Sequence, residues 1–267
     1  MIMKIANLVS KAAIVSGVIL SAAIVSRPAM AASFTITIED PGVMNANSSN
    51  LSNRYVQTFD GQATGFNENG FKWIDSNGQT IGQYSTVMIQ DPDQYGAAGG
   101  NGKYFDVNTG RSGNANQTIA TLKLANAQKY FGFWWSAGDS NNKLEFLSNG
   151  TSVYTMTTAD LVNQINSLSN KEAYYGNPNS PFQDQNSGEA YAFVNFYNTD
   201  GTFDEIRFTN IGATGFESDN HTVAANFTNT RAVPESSFVL GIGSIAFVGA
   251  ASVMTRTKKK KTVFKLS

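Results

Sequence analysis

Residues Lys129–Ser136 read KYFGFWWS. In an extended chain successive side chains point to opposite faces, so Phe131, Phe133 and Trp135 share one face while Tyr130 and Trp134 share the other. Large rings on both faces predict a central strand that is covered on both sides. Downstream, KLEFLSNGTSVYTM (143–156) places Asn149–Gly150 between two apolar-alternating runs. Both turn residues accept the positive φ of a tight hairpin, which makes Asn-Gly its strongest short-range signal. Further short runs fit strands: SFTITIED (33–40), RYVQTF (54–59), GQYSTVMIQ (82–90), KYFDV (103–107), TIATLKLA (118–125), EAYAFVNFYN (189–198), FDEIRFT (203–209) and TVAANF (222–227). Only TTADLVNQINSL (157–168) has helical spacing, with Leu161, Ile165 and Leu168 on one stripe and Thr157 and Asp160 placed as a cap. Many short strands, one short helix and no βαβ rhythm predict an all-β fold, a β-sandwich of jelly-roll-like form.

Composition narrows the chemistry. The 267 residues include no cysteine, which removes disulfide staples, zinc–thiolate sites and thiol nucleophiles. Charge is unevenly spread. Residues 33–230 hold nine Lys or Arg against nineteen Asp or Glu, a net of −10, whereas the two ends are basic. An acidic central domain argues against nucleic acid as a partner, because that affinity rests on cations meeting phosphates.

The basic ends belong to two apolar segments. Lys4 and Lys11 precede an uncharged run from Ala12 to Val25, followed by AMAAS (29–33). A basic start, an apolar core and a small-x-small site form the three-part pattern of a secretory signal peptide, here residues 1–32. At the other end, Phe238–Met254 is free of charge, and Arg256, Lys258, Lys259, Lys260 and Lys261 follow it. As a helix this run is about 25 Å long, at the short end of a bilayer span. The basic block reads as a cytoplasmic stop. The expected organisation is a leader (1–32), an exported domain (33–230) and a tail (231–267) with a single membrane span at 238–254.

With Val233, Pro234 and Glu235 just ahead of the apolar run, the tail resembles the PEP-CTERM sorting signal of Gram-negative bacteria. Ser236 stands where that family carries its second proline. The resemblance implies an exosortase-type processing protease as partner, cleavage near Pro234–Glu235, and a transient anchor in the inner membrane. It also implies release to the cell surface or extracellular matrix in association with exopolysaccharide. The pieces DPGV (40–43), GGNGKYFDV (99–107), YFGFWWSAGDSNNKLEFLSNG (130–150), AYAFVNFY (190–197) and FESDNHTV (216–223) further resemble a cyanobacterial group of exosortase-dependent surface proteins. A structural or adhesive role at the surface is the expectation that follows.

Catalytic motifs are missing. There is no G-x-S-x-G, P-loop or H-E-x-x-H, and His221 is the only histidine. ESDNHTV reads as a turn in which His221 precedes a strand, with Asp219 beside it. The expectation is a protein that is not an enzyme. A glycan-active hydrolase, which needs two carboxyl groups about 5 to 9.5 Å apart, ranks third. Oxygen-rich loops suit calcium better than zinc, and Asp139, Asn141 and Asp219 are the candidate ligands of a structural calcium ion. The alternative function is a carbohydrate-binding module acting on exopolysaccharide, in which Tyr174 or Tyr175 of the Asn-rich loop 170–190 faces solvent as a stacking platform.

Overall fold

Side-chain alternation is carried through fourteen strands of the computed structural model, which describes residues 33–107, 118–212 and 215–228. In chain order these are β1 (Phe34–Ile38), β2 (Leu51–Gln57), β3 (Gly65–Asn67), β4 (Phe71–Ile74), β5 (Thr80–Tyr84), β6 (Val87–Gln90) and β7 (Tyr104–Asp106). They continue with β8 (Ile119–Gln128), β9 (Tyr130–Gly138), β10 (Asn142–Ser148), β11 (Thr151–Thr157), helix α1 (Thr158–Asn166), β12 (Ala190–Asn198), β13 (Phe203–Asn210) and β14 (Glu217–Phe227). The leader 1–32, the motif Val233–Glu235, the apolar run 238–254 and the basic block lie outside the described residues. Among those described, no helix is long and apolar enough to cross a membrane.

The strands form two antiparallel sheets. One runs β1-β12-β9-β14-β7-β6-β3, with β2 also paired to β14, and the other runs β11-β10-β13-β8-β5-β4. Their inner faces share one apolar core, to which β9 gives Phe131, Phe133 and Trp135 and the second sheet gives Leu122, Leu144, Phe146, Ile206 and Phe208. The all-β reading is therefore correct, with two sheets face to face. Helix α1 buries Leu161 and Ile165, and Leu168 just beyond its end, as its spacing predicts. At its start the Asp160 carboxylate accepts from both the backbone N–H of Thr157 (3.2 Å) and its hydroxyl (2.7 Å).

The outer face of the first sheet is covered too. Tyr130, Trp134, Tyr191, Phe193 and Tyr197 form a second apolar layer with Ala46, and Met44, Tyr95 and Ala98 pack against it from the loops. β9 is thus buried along its whole length. Removing both faces of such a strand from water stabilises strongly, since each large apolar side chain contributes about 1.5–3 kcal/mol.

Register sets the two poles of the sandwich. Phe34 pairs with Asn198, Tyr197 with Tyr130, Tyr130 with Ala224, and Phe227 with Leu51. The turns β8–β9, β10–β11 and β12–β13 lie at this same pole, because Phe203 faces Gln128. At the opposite pole Ala190 faces Gly138, Glu217 faces Asp106 and Asn142 faces Asn210, so the β9–β10 and β13–β14 connections lie there.

The structure differs from the sequence reading in several places, and β3 and β4 are short strands in a stretch where none was expected. GQYSTVMIQ is two strands, because the chain leaves the second sheet at Tyr84 and enters the first at Val87. Ser85 still donates to the Thr121 carbonyl (2.8 Å), which anchors the crossing. Ser85 and Thr86, at the crossing, are also ordinary strand residues, so the run gives no sign of where the chain changes sheet. The last strand also begins five residues before TVAANF, so ESDNH is strand, not turn.

Candidate functional site

The polar side chains that sequence reading singled out around residue 220 converge on an irregularity in β14. Asp219 pairs with Trp134 and Thr222 with Gly132, so β14 carries one extra residue between these pairs. Asn220 takes up the bulge with φ +49°, a left-handed conformation that Asn accepts more readily than most residues. The insertion turns Ser218 and His221 toward the inner core, while Asp219 and Asn220 serve the outer face.

On the inner side His221 has no exposed surface. Its Nδ1 is 3.0 Å from the Tyr84 hydroxyl and its Nε2 is 2.9 Å from Ser218 Oγ. The ring stacks on Phe208 (centroids 5.0 Å apart, 9° between planes), is edged by Phe59, Phe131 and Phe133, and lies tilted against Phe105. Burial among these rings pushes the imidazole down to about 3, so it is neutral at ordinary pH. A neutral imidazole donates through one nitrogen and accepts through the other, which pairs it fully with the two hydroxyls. The turn position expected for His221 is corrected: the bulge aims it into the core. Ser218 and His221 stand at the distance of a nucleophile and its base, yet both are sealed from solvent. Chemically the trio is a polar rivet between the sheets, as Tyr84 belongs to one and β14 to the other.

On the outer side Asp219 accepts the backbone N–H of Ala98 through Oδ2 (2.8 Å) and that of Asn220 through Oδ1 (2.6 Å). Asn220 Nδ2 donates to the carbonyl of Met44 (2.9 Å). The bulge therefore ties down two loops that cross the sheet. Burial pushes the Asp219 carboxyl up to about 8, against the pull of its two N–H donors. Nearby, the Gln94 carbonyl accepts from the Tyr191 hydroxyl (2.6 Å), Asn186 Nδ2 (3.0 Å) and Asn177 Nδ2 (3.1 Å). Loop 91–102 is thus clamped to loop 176–189. Gly100 completes the fit: at φ +70°, a Cβ there would lie 2.2 Å from the Ser180 carbonyl oxygen.

The expected ligand residues are only partly brought together. Asp139 and Asn141 form an Asx turn at the β9–β10 connection, with Asp139 accepting from the Asn141 backbone (2.7 Å) and from its side-chain amide (3.1 Å). Asp219 lies apart from them, opposite Trp134 on the outer face. Among the described residues no group of three or more His, Cys, Asp or Glu is arranged to hold a metal ion.

The Tyr174 half of the tyrosine platform requires correction as well. Tyr174 is only 2% exposed and donates its hydroxyl to the Glu39 carbonyl (3.0 Å), where it closes the core beside β1. Tyr175 is half-buried and donates to Asn166 Oδ1 (2.9 Å). A short 3-10 turn at Lys171–Tyr174 rotates the first ring inward, and an Asn-rich sequence does not announce such a turn. Any glycan contact would have to come from residues other than Tyr174.

A third polar cluster had no sequence signal at all. Asn195, 1% exposed, accepts the Tyr130 hydroxyl (2.6 Å) and donates to Thr37 Oγ1 (3.2 Å) and Glu39 Oε1 (3.1 Å). It pins β1 to the centre of the first sheet. No known protein-family model matches the chain, and no curated protein matches it significantly.

Proposed function

We propose that the chain is an exported surface protein whose sandwich, of jelly-roll-like form, is a structural or adhesive module and not an enzyme. It is delivered by the leader, held in the inner membrane by Phe238–Met254, and released to the surface or matrix by an exosortase-type protease. The observation that carries this reading is the pairing of the two chain ends. An export leader sits at one, and VPE, an apolar run and a lysine block sit at the other, around a domain of charge −10. His221 lends no support to a hydrolase, because it is buried and hydrogen-bonded to Ser218 and Tyr84.

The test is a C-terminal mass determination on tagged full-length protein from an exosortase-positive host and from its deletion strain. Loss of the apolar run and lysines only when the protease is present is the expected result. An intact tail in both strains would make 238–254 a permanent anchor, with Ser236 blocking recognition.

A further inference from the structure

The strand register has a directional consequence once the chain ends are considered. Ser33 is fixed at the start of β1, where its carbonyl accepts the backbone N–H (2.8 Å) and the hydroxyl (3.0 Å) of Thr199. At the other end of the domain, Thr228 follows β14 and donates to the Asn50 carbonyl (3.0 Å). Both termini therefore leave from one pole, the pole of the Lys129, Asn149–Gly150 and Thr199–Thr202 turns. Strand β9, nine residues long, connects this pole to the opposite one. At about 3.3 Å per residue that puts the two poles about 30 Å apart.

The chain between Thr228 and the apolar run is short. Ten residue steps separate Thr228 from Phe238. Even fully extended they span no more than about 36 Å, and only about 25 Å reach Glu235. A tether of this length lets the near pole approach the bilayer. Seating the far pole there instead would require about 30 Å of fully extended chain laid back along the sandwich, which leaves almost none of the tether to cross the headgroup layer.

We infer that the domain stands on the membrane by the pole carrying Ser33, Lys129, Asp200 and Thr228. The opposite pole, with the turns at Asp139–Asn141 and Ile211–Gly212, then faces outward. The partner of the near pole is a lipid surface. The outward pole is the one free to meet other surface material, and it carries Ile211, which is 65% exposed. This inference rests on the anchor reading above.

The absence of cysteine permits a clean test. Single-cysteine full-length variants Asp200→Cys and Ser76→Cys carry a fluorophore at exposed turns of the near pole. Ser140→Cys and Ile211→Cys carry it at exposed positions of the far pole. All four are reconstituted in phosphatidylglycerol–phosphatidylethanolamine vesicles that contain headgroup-nitroxide lipids. At least twofold stronger quenching of the 200 and 76 labels than of the 140 and 211 labels is expected. Equal quenching at the two poles, or the reverse order, overturns the orientation while leaving the anchor intact. Recovery of the chain in the vesicle-free fraction overturns the anchor reading, and the orientation falls with it. Circular dichroism of each labelled variant guards against misfolding, and two positions per pole guard against a local effect.

Discussion

At the scale of single residues, β14 presents two buried ionisable groups whose shifts oppose each other. His221 has its folded value lowered to about 3 from an ordinary 6.5. Its contribution to stability is complete above pH 6.5 and is lost as pH falls toward 3. Asp219 has its folded value raised to about 8 from 3.8. Its contribution is complete below about pH 4 and is lost as pH rises toward 8. Between pH 4 and 6.5 the two slopes cancel, so urea midpoints of residues 33–230 should form a plateau there and fall on both sides. Asp219→Asn should abolish the decline above pH 6.5, and His221→Phe should abolish the His221 share of the decline below pH 4. His221→Phe should also destabilise at neutral pH, because orphaning the Tyr84 and Ser218 hydroxyls costs about 1–3 kcal/mol each. A flat profile in the wild type from pH 4 to 9 would refute the Asp219 part. Gly100→Ala is a second local test. Positive φ and the clash with Ser180 predict a loss of at least about 1 kcal/mol in the denaturant midpoint.

Among the elements, β9, α1 and the second half of β14 were legible and the first half of β14 was not, for physical reasons that differ. KYFGFWWS announces itself because rings on both faces fit only a strand covered twice, and both layers are present. Helix α1 is equally readable, since three apolar residues at helical spacing and a Thr–Asp cap agree with one another. Thr157→Ala removes one partner of the Asp160 carboxylate and should cost about 1 kcal/mol. Far-UV helix signal and unfolding midpoint of that variant should fall together. The bulge in β14 stays hidden because Ser, Asp and Asn are the residues that favour turns. SDNH therefore looks like a loop, while long-range pairing with β9 and β2 overrides the local preference. The roof over Trp134 is hidden for a related reason. Its loops are held by contacts between distant carbonyls and amides, such as Gln94 with Asn177 and Asn186. Trp134→Ala, which empties that layer, should destabilise by about 3–5 kcal/mol in the same unfolding assay.

For the molecule as a whole, the proposed anchoring takes location from the two chain ends and the facing of the domain from the strand register. There is also a mechanical consequence. The strand that leads into the tail is β14, the longest among the described residues at eleven residues, flanked by β9 on one side and by β7 and β2 on the other. A load applied at the outer pole and resisted by the tail runs along the axis of this strand. Its hydrogen bonds to both flanks are then stretched together, in shear. A load applied between Ser33 and Thr228 acts at one pole and opens the outermost bonds of β1 and β14 one after another. Single-molecule pulling from Ser140→Cys against the C-terminal tail should thus give clearly higher rupture forces than pulling from the two chain ends. Equal forces would deny β14 this role. Under the proposed anchoring, a sandwich held through β14 carries a pull between tail and outer pole in shear, and its weaker direction, between its two chain ends, is one that such a pull does not apply.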